Sequence, residues 1–140
     1  MSDLNPKEIL ESYHAKRLDK ASAFTYLRSF IDNGNDETIR AESLKLLGEI
    51  GFESEAFFKF LENLLVSDSN ESIRAVAAEL IIQNFLDKAE ALINWTFEKE
   101  PSMDCLLAIF KSLRGLNDDK SRGLINLLEN ALERRFSDID

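Results

Sequence analysis

A chain of 140 residues, 44% hydrophobic and 31% charged, has the size and mix of one soluble domain. Its net charge of −9 opposes nucleic acid and anionic membrane, both of which select a basic surface. One cysteine excludes an intramolecular disulfide, and one cysteine with one histidine leaves too few ligands for a zinc centre.

Five glycines and two prolines are few breakers for this length, so helix is expected throughout. No apolar run approaches the 18 or so residues that span a bilayer. The opening MSDLNPKEIL lacks the basic and apolar regions of a signal peptide. A cytoplasmic protein is the expectation.

Pro6, following Asn5, starts a short first helix ending near Ala15, with Ile9, Leu10 and Tyr13 along one side. Asp19 caps a second, with Ala23, Phe24, Tyr26, Leu27, Phe30 and Ile31 on one face, and Asn33-Gly34-Asn35 ends it. Asp36 caps a third that runs to Glu49 or Ile50 and stops at Gly51. Ser54 caps a fourth, which turns Ala56, Phe57, Phe60, Leu61, Leu64 and Leu65 inward. After a turn at 67–70 a fifth helix reaches about Phe85, and Asp87 caps a sixth with Leu92, Ile93 and Thr96 facing in. Pro101 opens a seventh that buries Met103, Leu106, Leu107, Phe110 and Leu113. A turn at 115–118 leads to an eighth, carrying Leu124, Leu127, Leu128, Ala131, Leu132 and Phe136. Short connections force antiparallel neighbours, so the eight helices form one domain of four hairpins, roughly 5–33, 36–66, 70–99 and 101–136.

Two of these helices repeat one another. DETIRAESLKLLGEIG from Asp36 lies over NESIRAVAAELIIQNF from Asn70 at an offset of 34, pairing Ile39 with Ile73, Arg40 with Arg74 and Leu46 with Leu80. At an offset of 30, Met103 falls on Ile73 and Cys105 on Ala75. The capping acid or amide, the aliphatic-Arg-x-x-Ala/Ser run and the following Leu pairs resemble the first helix of a HEAT repeat. The resemblance is strong over 36–98, moderate over 101–136 and weak over 1–35. The tetratricopeptide landmarks of Trp, Gly, Tyr and Pro are missing. The likeness implies an all-α, right-handed α-solenoid, whose second helices line a concave surface where a protein partner docks. Some HEAT-like proteins are instead enzyme accessories or bilin lyases, and the chain could also be one module of a larger assembly.

With each apolar arc turned inward, the second helices present Thr25 and Ser29, then Glu55, Lys59 and Glu62, then Glu90, Asn94 and Glu98, then Asn126, Asn130 and Glu133. Phe58 and Trp95 fall at the edge of this surface, as core or as partner anchors. Residues 36–100 carry fourteen acids against six bases, so the expected partner has a basic surface. The end hairpins are the place for a homo-oligomer contact. His14 alone cannot build a catalytic centre, Cys105 reads as a small core residue, and no phosphate-binding loop is present. No cofactor, metal or catalytic residue is expected. Arg40, Arg74 and Asp104 share one repeat position, which predicts an Arg74–Asp104 ion pair between hairpins, with Asp36 and Asp68 separating the two arginines.

Overall fold

The computed structural model describes residues 5–34 and 36–137. Their regular elements are all α-helices: α1 (Pro6–His14), α2 (Lys20–Asn33), α3 (Glu37–Ile50), α4 (Glu55–Ser67), α5 (Glu71–Lys99), α6 (Met103–Leu116) and α7 (Asp119–Ser137). No strand occurs among the described residues. None of the helices is long and apolar enough to cross a membrane.

The caps explain where most helices begin. Asp19 accepts the Ser22 amide at 2.7 Å. Asp36 accepts the amides of Thr38 and Ile39 at 2.8 and 3.2 Å, and Asn70 accepts those of Ser72 and Ile73 at 2.8 and 3.1 Å. Each satisfies amides that have no partner within the helix. Gly51 ends α3 at φ +85°, where a β-carbon would be strained. Pro101 does not open α6. Ser102 caps it by accepting the Cys105 amide, and the helix runs through Gly115 until Asn117 closes it at φ +48°.

The described residues form seven continuous helical segments, and the one over 71–99 joins two helices across a kink, with no loop where the fifth and sixth helices were expected to part. The change of direction happens at one residue, Phe85, at φ −138° and ψ 30°. Its consequence is measurable. Arg74 and Glu100 are 26 residues apart and would be about 39 Å apart along a straight helix. Their side chains meet at 2.9 Å, so α5 doubles back on itself. The Phe85 ring packs against Phe57 and Phe58 at 6.1 and 5.3 Å between centroids, and the Asn84 side chain donates to the Leu80 carbonyl in the turn before the break. Asp87 therefore lies in the first turn of the returning helix rather than at its cap. Residues 71–84 and 86–99 are called the two arms of α5.

The chain divides into two compact units, Met1–Ser54 and Glu55–Asp140, with the boundary inside the expected hairpin 36–66. In the first, α1, α2 and α3 pack against one another around Ile9, Leu27, Ile31, Leu44 and Leu47. Phe24 meets Phe52 edge-on at 5.0 Å, and Arg40 Nε donates to the Ile31 carbonyl at 2.8 Å.

In the second unit α5 is central and packs against α4, α6 and α7. Phe57, Leu61, Ile73, Ile81, Ile93, Phe97, Ile109 and Leu128 are buried in its core. Each such side chain contributes about 1.5–3 kcal/mol on leaving water. Several apolar residues expected inside are not. Ala56, Met103, Leu107, Leu127 and Phe136 are exposed.

The caps also correct the register of α6. Asn70 and Ser102 are equivalent N-caps, which sets the offset at 32 rather than 30. At 32, fully buried Ile73, Ala77 and Ile81 match fully buried Cys105, Ile109 and Leu113. Arg74 then matches Leu106, and Asp104 is an exposed residue in the first turn of α6.

Candidate functional site

Within residues 55–140, three segments lie side by side and point the same way. Lys88, early in the second arm of α5, pairs with Glu55 at the start of α4. At the other end, Leu65 and Val66 of α4 share a cleft with Trp95, Thr96 and Lys99. The step recurs on the far side of the arm: Lys120, at the start of α7, donates to Asp87 at 2.7 Å, and Arg135 donates to the Phe97 and Glu100 carbonyls at 2.9 and 2.6 Å. Both cross-helix ion pairs span 33 residues, close to the sequence period. Lys88 also lies 5.6 Å from the Phe58 ring centroid and, through its hydrogen bond, lowers the Glu55 carboxyl below the usual carboxylate range.

The cleft between α4 and the second arm encloses about 180 Å³. Val66 and Trp95 on its wall are 45% and 42% exposed, so an apolar rim stands open to solvent. Its floor is polar and tied down. Arg74 donates Nε to one Glu100 oxygen and Nη2 to the other, both at 2.9 Å, and Nη1 to the Asp68 carbonyl at 2.9 Å. The Ser102 amide donates to Glu100 Oε1 at 3.0 Å. This bidentate pair is nearly out of water, with side-chain exposures of 13% and 4%. Burial works to raise the Glu100 carboxyl, but the hydrogen bonds from Arg74 and Ser102 and the guanidinium charge outweigh it, leaving the group below its ordinary value. The hydrogen bond to Glu100 holds Arg74 more firmly protonated. Beside them, burial and then the Glu100 charge push the Cys105 thiol up to about 12, which suits a neutral core residue and not a nucleophile.

The expected Arg74–Asp104 pair is therefore replaced by Arg74–Glu100. Asp68 meets Arg74 through its backbone carbonyl, and the Asp36 carboxylate accepts helix-capping amides. Of the two readings, core or anchor, burial favours the core for Phe58. It is 8% exposed, covered by Phe85 and by Lys88. Glu55, Lys59, Glu90, Trp95, Glu98, Asn126, Asn130 and Glu133 are exposed, and Glu62 and Asn94 are half-buried. Thr25 and Ser29 are exposed on α2, in the other unit.

Two apolar residues of this side were missed. Val66 ends the apolar run of α4, and Leu127 lies seven residues, about two turns, from both Lys120 and Arg134 on the edge of α7 that meets α5. The acidity of this side is also partly cancelled, since Lys88 and Lys120 sit on Glu55 and Asp87. No grouping of three or more His, Cys, Asp or Glu residues placed to hold a metal occurs among the described residues. No family model, curated protein or solved structure matches the chain significantly.

Proposed function

We propose that this chain is a HEAT-like helical-repeat module without catalytic activity, and that it binds a protein partner across α4, the second arm of α5 and α7. The observation that carries this reading is the open cleft beside Trp95. Its volume, about 180 Å³, has room for one large side chain against the Val66 and Trp95 rim. A half-exposed tryptophan next to an exposed valine, ringed by charged and amide side chains, has the composition of an interface anchor inside a polar rim. The parallel, evenly stepped helices supply the repeat-like frame, and the buried Arg74–Glu100 floor holds the cleft in shape without ligand.

The partner fitted by this surface presents a large apolar side chain flanked by mixed charge. A purely basic strip fits less well, because two of the acids are already neutralised by lysines. Affinity capture from the native source, with wild-type chain and Trp95→Ala in parallel, tests the reading. Trp95→Ala is expected to keep its helical spectrum and melting temperature while weakening the captured interaction by about 30-fold or more, the loss typical of an interface hot spot. Partner binding that is indifferent to Trp95→Ala, or activity on a small molecule with no protein bound, would overturn it.

A further inference from the structure

A second surface lies on the outer side of the α6–α7 pair. Met103 and Leu107, one turn apart on α6, are 45% and 56% exposed. Phe136 is 40% exposed near the same end, since its neighbour Arg135 is bonded to the Glu100 carbonyl just before α6. Isolated exposed apolar residues are ordinary, but Met103 and Leu107 adjoin on one face of α6, an apolar strip that favours cover.

The charge along α6 indicates what covers it. Asp104 lies beside Met103 at the start of the helix, and Lys111 and Arg114 lie two to three turns later, all exposed. The strip starts with Met103 and Asp104, carries Leu107 next and is basic at the other end. Such a strip is complementary to its own reverse, which is the requirement for a two-fold, isologous contact.

We infer that the outer face of α6 and α7 joins a second copy of this chain through antiparallel α6 helices. A two-fold axis beside Leu107 stacks the two Leu107 side chains and sets Asp104 of each copy opposite Lys111 of the other. Met103 then lies along the aliphatic stem of the facing Lys111. The helix α6 is about 21 Å long at 1.5 Å per residue. A contact confined to one such helix from each copy is smaller than the ~800 Å² per partner of a stable complex, so a weak, exchanging dimer is expected.

Sedimentation equilibrium of the full chain from low to high micromolar concentration tests this. Wild type is expected to pass from monomer to dimer over that range. Leu107→Glu, on an exposed site that leaves the fold intact by circular dichroism, is expected to weaken association at least about tenfold. Asp104→Lys and Lys111→Asp, each placing like charges opposite one another, are expected to weaken it as well. The double variant Asp104→Lys/Lys111→Asp restores the opposition and should recover association to within about threefold of wild type. Trp95→Ala should leave it unchanged, which separates this face from the cleft. A wild type that stays monomeric, association that survives Leu107→Glu, a double variant no better than the singles, or association lost with Trp95→Ala would each overturn the inference.

Discussion

The first arm of α5 and helix α6 occupy equivalent register positions and differ in how their hairpins are closed. Inside, they match position for position: Ile73, Ala77 and Ile81 against Cys105, Ile109 and Leu113, all fully buried. Toward the returning segment they part. The α5 fold-back is closed by Arg74 and Glu100, a buried ion pair. Thirty-two residues on, the same positions are Leu106, buried, and Leu132, half-buried. The α5 closure is ionic and directional, whereas the equivalent positions of α6 and α7 carry no charge. The ionic one joins the turn before α5, the cap of α6 and the end of α7, because Arg74, Ser102 and Arg135 all converge on Asp68 or Glu100. The difference teaches that the arginine serves its own hairpin. It ties the start of α5 to its own end.

The comparison can be broken most sharply at Arg74. Arg74→Ala leaves Glu100 buried without its partner, and urea denaturation should show a loss of about 3–5 kcal/mol. A loss under about 1 kcal/mol would mean that the pair behaves as a surface contact. Writing the α6–α7 solution into α5, as Arg74→Leu with Glu100→Leu, should recover most of that loss, since apolar replacements of buried pairs are often neutral or stabilising. If the double variant is no more stable than Arg74→Ala, the backbone carbonyl of Asp68 and the Ser102 amide depend on the charged groups more than on the packing.

A smaller effect is expected with pH. The Glu100 carboxyl has a folded value below its unfolded one. Its contribution is therefore complete above the unfolded value and is lost as pH falls through the folded value. The stability difference between wild type and Glu100→Gln should be constant at neutral pH and shrink in this acid range. A difference that grows on acidification would contradict the assigned direction. The smallest effects belong to the lysines. Lys88→Ala and Lys120→Ala remove exposed ion pairs and should leave the urea midpoint within error.

Much of the helical layout was legible because it is written locally. Asp19, Asp36 and Asn70 cap where their residue types and the following apolar spacing place caps. The reversal near Phe85 was legible as the end of a fifth helix; that it takes a single residue, with no loop, glycine, proline or Asp87 cap, was not. It follows from three aromatic rings meeting, which is a tertiary fact. The register of α6 was misread because Met103 resembles Ile73 in polarity, whereas the cap residues Asn70 and Ser102 carry the true spacing. That slip of two residues produced the Arg74–Asp104 pairing. Glu100 was hidden for another reason: it sits at the closing end of the fold-back, outside the repeated helix. Of the candidate surface, Trp95 and its polar neighbours could be placed by helical period alone. Val66 and Leu127 could not, because periodicity identifies apolar residues without saying whether a neighbour covers them.

Trp95 is the only tryptophan in the chain, so its fluorescence reads the proposed cleft directly. Free protein should emit as a partly exposed indole and be readily quenched by acrylamide. Titration with the captured partner should shift the emission to the blue and reduce quenching in step with complex formation. A partner that binds the chain fully while Trp95 emission and quenching stay unchanged would contradict the assignment of this face.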